Sequence, residues 1–163
     1  MTIAECADAG QQTIEHLHAL LLAGSADEQR IREGLAKVRL DPAEPSSLAR
    51  YRSWFHQVHT LEHEAVRGYD RDRARRLFDR LAARGTHVVP TLSVHHRLER
   101  PDEIPGSLPE AGYVPSWLVE SWPATWEGLI GGRTPQEKGM LREIHDHRLL
   151  LSTEQTDTEQ KRS

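Results

Sequence analysis

A single cysteine, Cys6, is all the thiol chemistry in the chain, so no internal disulfide forms and a cysteine-rich zinc module is excluded. The first ten residues, MTIAECADAG, have neither a basic region nor an apolar stretch of the kind that targets a chain for export. No run approaches the ~20 apolar residues that span a bilayer. Charge of one sign is missing too: 21 Lys and Arg stand against 25 Asp and Glu, for a formal net charge of -4, and interspersed charges do not build the single-sign field of a nucleic-acid platform. The basic cluster RDRARR, Arg71 to Arg76, is broken by Asp72 and flanked by Asp70 and Asp79, which reads as a solvated helix face. There is no G-x-S-x-G elbow, P-loop or G-x-G-x-x-G fingerprint. Together these absences lead us to expect a cytoplasmic protein with neither nucleic acid nor membrane as partner.

What is present suits one domain. With 163 residues and 37% apolar content the chain can bury a modest core. Thr13 to His18 reads as a short buried strand, continued by the leucine-rich stretch to Ala23. Ser25 with Glu28 has the capping-box spacing, and Ile31, Leu35 and Val38 follow at helical intervals. After the Pro/Ser linker DPAEPSS, Leu48, Tyr51, Phe55 and Val58 predict a second helix. A third runs from about Asp72 to Arg84, with Gly85 as its stop. THVVPTL, Thr86 to Leu92, then reads as a strand. Six of the nine prolines fall between Ser93 and Pro135, so that segment reads as a long functional loop with a short helix in Pro115 to Trp126. A last helix is expected from Pro135 to His147, then a strand at Leu149 to Ser152. The expected fold class is α/β, with parallel βαβαβ strands in an α/β domain over residues 1–152 and a polar tail over 153–163.

Ten histidines offer the candidate chemistry. In a parallel βα architecture, reactive groups collect at the carboxyl ends of strands. His16 and His18 sit at such an end, and a neutral imidazole there suits zinc, although on spacing alone a hydrogen-bonded core histidine is the commoner case. HTLEH, His59 to His63, matches the H-x-x-E-H pattern of inverted zinc proteases, a match that ten histidines easily generate. HDH, His145 to His147, reads as a basic helix end. His95 and His96 read as solvent-exposed openers of the loop.

Three stretches, DAGQQTIEHLHALLLAGS, RGTHVVPTLSV and GYVPSWLVESW, together resemble the metal-dependent amidohydrolase superfamily, in its imidazolonepropionase and prolidase-like branch. The resemblance implies a partial (β/α)8 TIM-barrel-like unit, the C-terminal part of the barrel with its sixth, seventh and eighth strands. It further implies His16 as a metal ligand and Asp157 as the catalytic aspartate that assists the attacking water. The implied cofactor is a divalent metal, zinc, and the implied activity is hydrolysis of a non-peptide C–N bond, incomplete in this chain alone. The alternative is a non-catalytic interaction module, or a truncated gene product. Self-association or a complementing chain would then use the exposed edges of Thr13 to His18 and Leu149 to Ser152.

Overall fold

The computed structural model describes residues 1–103 and 109–160. Eight α-helices and one two-stranded sheet make up these residues, with two short 3-10 turns at Pro101–Glu103 and Pro109–Tyr113. In chain order the elements are α1 Ile3–Asp8, β1 Thr13–Glu15, α2 His18–Ala23, α3 Glu28–Leu35, α4 Ser47–Arg67, α5 Arg71–Arg84, β2 His87–Val89, α6 Leu92–Glu99, α7 Ser116–Ile130 and α8 Pro135–Gln160.

Local chemistry explains most of the boundaries. Ser46 caps α4 by accepting from the Ala49 N–H at 3.1 Å, and Asp70 caps α5 by accepting from Arg73 N–H at 2.9 Å. Gly85 ends α5 in the left-handed region, φ 66°. There its N–H donates to Ala82 and the next, Thr86 N–H, to Leu81, the paired bonds of a Schellman motif. That turn delivers the chain directly into β2, which pairs in parallel with β1 as expected, Ile14 opposite Val88.

The centre of the core is α2. It is only six residues long, yet Leu20, Leu21, Leu22 and Ala23 are all buried, as is Leu17 before it, because a helix that is apolar on every side must be surrounded. It packs against α1, α3, α4, α5 and α8, and Ile31, Phe78, Leu81, Leu141, Ile144 and Leu151 close the cluster. On α4, α5 and α8 the buried positions recur at helical spacing. Along α8 they are Leu141, Ile144, His145, Arg148, Leu151 and Gln155.

Several expectations are corrected here. Leu149 to Ser152 is not a strand: it lies inside α8, which continues to Gln160. The sheet holds only β1 and β2 among the described residues, so the parallel βαβαβ unit and the partial (β/α)8 barrel are both overturned. The physical reason is periodicity over a longer span than the four apolar residues. The run of Glu, Gln and Leu after His147 favours helix, and the spacing from Leu141 to Gln155 buries one continuous stripe. His95 and His96 belong to α6 rather than to a loop, and HDH lies inside α8 rather than at its end. The short helix expected at Pro115 to Trp126 is present as α7, but it lies on α4. Three helices, α1, α2 and α6, had no counterpart in the expectations. No helix among the described residues is long and apolar enough to cross a membrane.

A strand and a helix give Leu149 to Leu151 different burial phases. In α8, Leu149 is 43% exposed and Leu150 42%, whereas Leu151 is fully buried; a strand would bury Leu149 with Leu151. We expect Leu151→Ala to cost about 2–5 kcal/mol, with Leu149→Ala and Leu150→Ala each within about 0.5 kcal/mol of the parent. Urea denaturation of the three variants measures this, and a Leu149→Ala cost matching that of Leu151→Ala would contradict the helix.

Candidate functional site at the carboxyl ends of the strands

Both strands end in a strained residue. His16 follows β1 at φ 65° and Thr91 follows β2 at φ 47°, a region that residues other than glycine enter at a cost of about 1–3 kcal/mol each. Two bonds hold the pair together. His16 N–H donates to the Val89 carbonyl at 2.8 Å, and the His16 ring Nδ1 shares a hydrogen bond of 2.5 Å with the Thr91 hydroxyl. The turn after His16 sends the chain into α2, and the turn at Thr91 sends it into α6, so His18 and His95 arrive beside His16. Ring centroids are 5.8 Å apart for His16 and His18, 5.8 Å for His16 and His95, and 5.0 Å for His18 and His95.

Beneath these rings lies a buried charge network. Arg148 of α8 has no exposed side-chain surface; its Nε donates to Glu99 of α6 at 2.8 Å and its Nη2 to Glu62 of α4 at 2.9 Å. His18 Nδ1 makes a short bond to the other Glu62 oxygen. Glu99 also meets His145 Nδ1 at 3.1 Å and His95 Nδ1 at 3.4 Å. Two buried carboxylates thus face one buried guanidinium, and the imidazoles add further hydrogen bonds to the carboxylates, while Arg148 Nη1 and His95 Nε2 stay buried without a partner among the described residues. Burial pushes the Glu62 carboxyl up, but the Arg148 guanidinium and the His18 contact outweigh it and hold Glu62 at about 2. Glu99 is likewise lowered: burial opposes ionisation, and the His95 bond and Arg148 more than offset it. Burial lowers His95, with its bond to Glu99 working in the opposite direction.

The expected site residues fare differently. His16 does project from a strand end and is exposed, among other histidines. Asp157 lies within α8 and not at the end of a strand, and its side chain is outside the described residues. Of the HTLEH motif, His59 is buried on α4, Glu62 belongs to the Arg148 network, and His63 pairs with Glu143 at 2.7 Å. No group of three or more His, Cys, Asp or Glu side chains among the described residues is arranged to hold a metal ion. What sequence reasoning missed is Arg148 and Glu99, because no local pattern marks a charge for complete burial; HTLEH was the only signal, and it pointed to Glu62 for another reason.

Comparison with protein-family models, with curated proteins and with solved structures finds no match for this chain. The fold and the site define a helical domain with a two-stranded parallel insert and a buried Arg–Glu–His network. They overturn the amidohydrolase resemblance: the described residues form no barrel and gather no metal-ligating cluster. The C–N hydrolase reading goes with it.

Breaking the network leaves a buried charge without its counterpart. Arg148→Met should cost about 3–5 kcal/mol, and combining it with Glu62→Gln and Glu99→Gln should recover most of that loss, as read by urea denaturation at neutral pH. The network also fixes the acid response. Glu62 is lowered from 4.5 to about 2 in the folded chain, so its stabilisation is complete above about pH 4.5 and is lost as pH falls toward 2. Burial lowers His59 from 6.5 to about 4, so its contribution is complete above about pH 6.5 and is lost on the way down to 4. A pH series of denaturation curves should show both phases, and His59→Phe should shrink the upper one.

Proposed function

We propose that the chain is a non-catalytic interaction module that pairs with a second copy of itself through α7. The observation that carries this reading is an apolar helix with none of its residues buried. Trp117, Leu118, Val119, Trp122, Trp126, Leu129 and Ile130 all lie on α7, Trp117 is 69% exposed, and Tyr113 just before the helix is 92% exposed. A helix that is apolar on most sides is normally surrounded, and exposed aromatic residues of this kind are enriched at protein interfaces. Val119, Trp122, Trp126, Leu129 and Ile130 form a half-buried side, and Gly128, near the C-terminal end, admits Leu48 of α4 so closely that a side chain there would clash. The opposite side is open along its N-terminal part, around Trp117 and Ala124.

That open side is complementary to itself. Its N-terminal half carries bulky Trp117 and Leu118, and its C-terminal half carries Ala124 and Thr125, all exposed. Two antiparallel α7 helices related by a two-fold axis between Glu120 and Ser121 would set Trp117 against Ala124 of the second copy, two positions seven residues apart that share one helix face. Large then meets small at both ends, the self-matching that an isologous interface needs. The cytoplasm is the compartment we propose for such a module, given its lone cysteine.

A second route uses the sheet. His87 N–H donates to the Gln12 carbonyl, and the Val89 carbonyl accepts from His16, so the backbone groups of Val88 between them point away from β1. A complementing strand could add at that edge.

Sedimentation equilibrium at micromolar concentration tests the proposal. The parent should be dimeric, Trp117→Glu monomeric with an unchanged circular dichroism spectrum, and Val88→Pro still dimeric. A monomeric parent would sink the reading, and a dimer that survives Trp117→Glu but not Val88→Pro would move the interface to the strand edge.

A further inference from the structure

Between α4, the turn that joins α7 to α8, and the start of α8 lies a cavity of about 430 Å³, within the range of roughly 300–1,000 Å³ typical of small-molecule sites. It lies just beyond the C-terminal end of α7, and its reading does not depend on the pairing proposed above. Its lining holds charges left without partners. Arg133 is half-buried and donates one bond, from Nη1 to the Leu98 carbonyl at 2.5 Å. Arg52 reaches only the Gly131 carbonyl, at 3.4 Å. Neither guanidinium has a carboxylate in an ion pair among the described residues. Glu44 lines the same cavity, and its carboxylate is likewise unpaired among them.

The cavity's other acid is already committed. Glu137 accepts from the Thr134 N–H at 2.7 Å and the Thr134 hydroxyl at 2.9 Å, and it pairs with His56 at 2.8 Å. An apolar wall is supplied by Phe55 and Met140. His59 stacks on Phe55, centroids 5.7 Å apart and planes 17° from parallel. It is 6% exposed, and neither of its ring nitrogens makes a hydrogen bond among the described residues. Burial holds the ring neutral near physiological pH, at about 4, so it can offer a hydrogen bond without adding charge. Burial also lowers Arg133, with Glu137 and Glu99 only partly compensating. A desolvated guanidinium in that condition gains from a bound carboxylate.

Two unpaired cations, one unpaired anion and an apolar wall in one small cavity describe a ligand with both charges and an apolar body. We propose that this cavity binds a free apolar α-amino acid, its carboxylate on Arg52 and Arg133, its ammonium on Glu44, and its side chain against Phe55 and Met140. A doubly charged anion such as phosphate fits less well, because Glu44 and Glu137 would repel it.

Isothermal titration of the full chain with L-phenylalanine, 3-phenylpropionate and phenethylamine at pH 7.5 tests the assignment. Saturable binding of L-phenylalanine is expected, with both one-charge analogues weaker by roughly tenfold or more. Arg133→Gln should weaken L-phenylalanine by a similar factor. Glu44→Gln should weaken L-phenylalanine and leave 3-phenylpropionate no weaker than with the parent, since that ligand loses no ammonium contact and is relieved of a like charge. Arg133 also holds the Leu98 carbonyl, so Arg52→Gln, at an exposed side chain with a single long bond, gives the same readout should Arg133→Gln fail to fold. No saturable binding of L-phenylalanine, binding unaffected by Arg52→Gln, or 3-phenylpropionate binding as tightly as L-phenylalanine would each overturn the proposal.

Discussion

Arg148 ties together three helices that the chain brings in from widely separated positions. Its guanidinium reaches Glu62 on α4 and Glu99 on α6 from the middle of α8, with no exposed surface on any of the three side chains to speak of. A buried ion pair gains little net stability over well-packed apolar residues, because desolvation offsets most of the attraction. Its directional demands are another matter. Hydrogen bonds to a planar guanidinium tolerate little rotation or sliding, so α8 has one register against α4 and α6 in which both carboxylates are satisfied. Apolar contacts alone, such as Ile144 and Leu151 against the α2 cluster, would permit neighbouring registers at modest cost.

The histidine-lined strand ends inherit their geometry from that network. His18 is held through Glu62 and His95 through Glu99, and His16 is held through Thr91. Each ring is therefore fixed by a different element, while the backbone at His16 and Thr91 bears strain that the surrounding contacts must sustain. The same parts account for acid sensitivity: lowered carboxyl groups and a neutral buried His59 all lose their advantage as protons are added.

The resemblance to amidohydrolases illustrates how local and global readings separate. IEH and GTHVVPTL look like consecutive parallel strands, and they do become β1 and β2, paired in parallel. A barrel needs that pairing to propagate through further strands until the sheet closes. Here the next segment with a strand-like look, Leu149 to Ser152, is absorbed into α8, and helices cover the rest of the core. A two-stranded unit can hold its shape in this setting because α2, placed directly after β1, anchors it in the apolar cluster.

Sequence by itself determined the elements whose signals are local. The apolar spacing marked α3, α4 and α5, Gly85 marked the Schellman stop, and β-branched residues marked β2, because each depends on neighbours within about four residues along the chain; the capping box expected at Ser25 and Glu28 does not form, since Asp27 precedes α3 without a side-chain bond. The short helix at the tryptophans was also legible from their spacing. Tertiary structure decided the rest. Whether four leucine-rich residues after His147 are strand or helix depends on a stripe extending to Gln155 and on the core it faces. Whether Arg148 and Glu99 are solvated or buried depends on two carboxylates and one guanidinium meeting across a fold. No spacing rule encodes that meeting, since the free energy of burying a charge is set by partners 49 and 86 residues away in the chain.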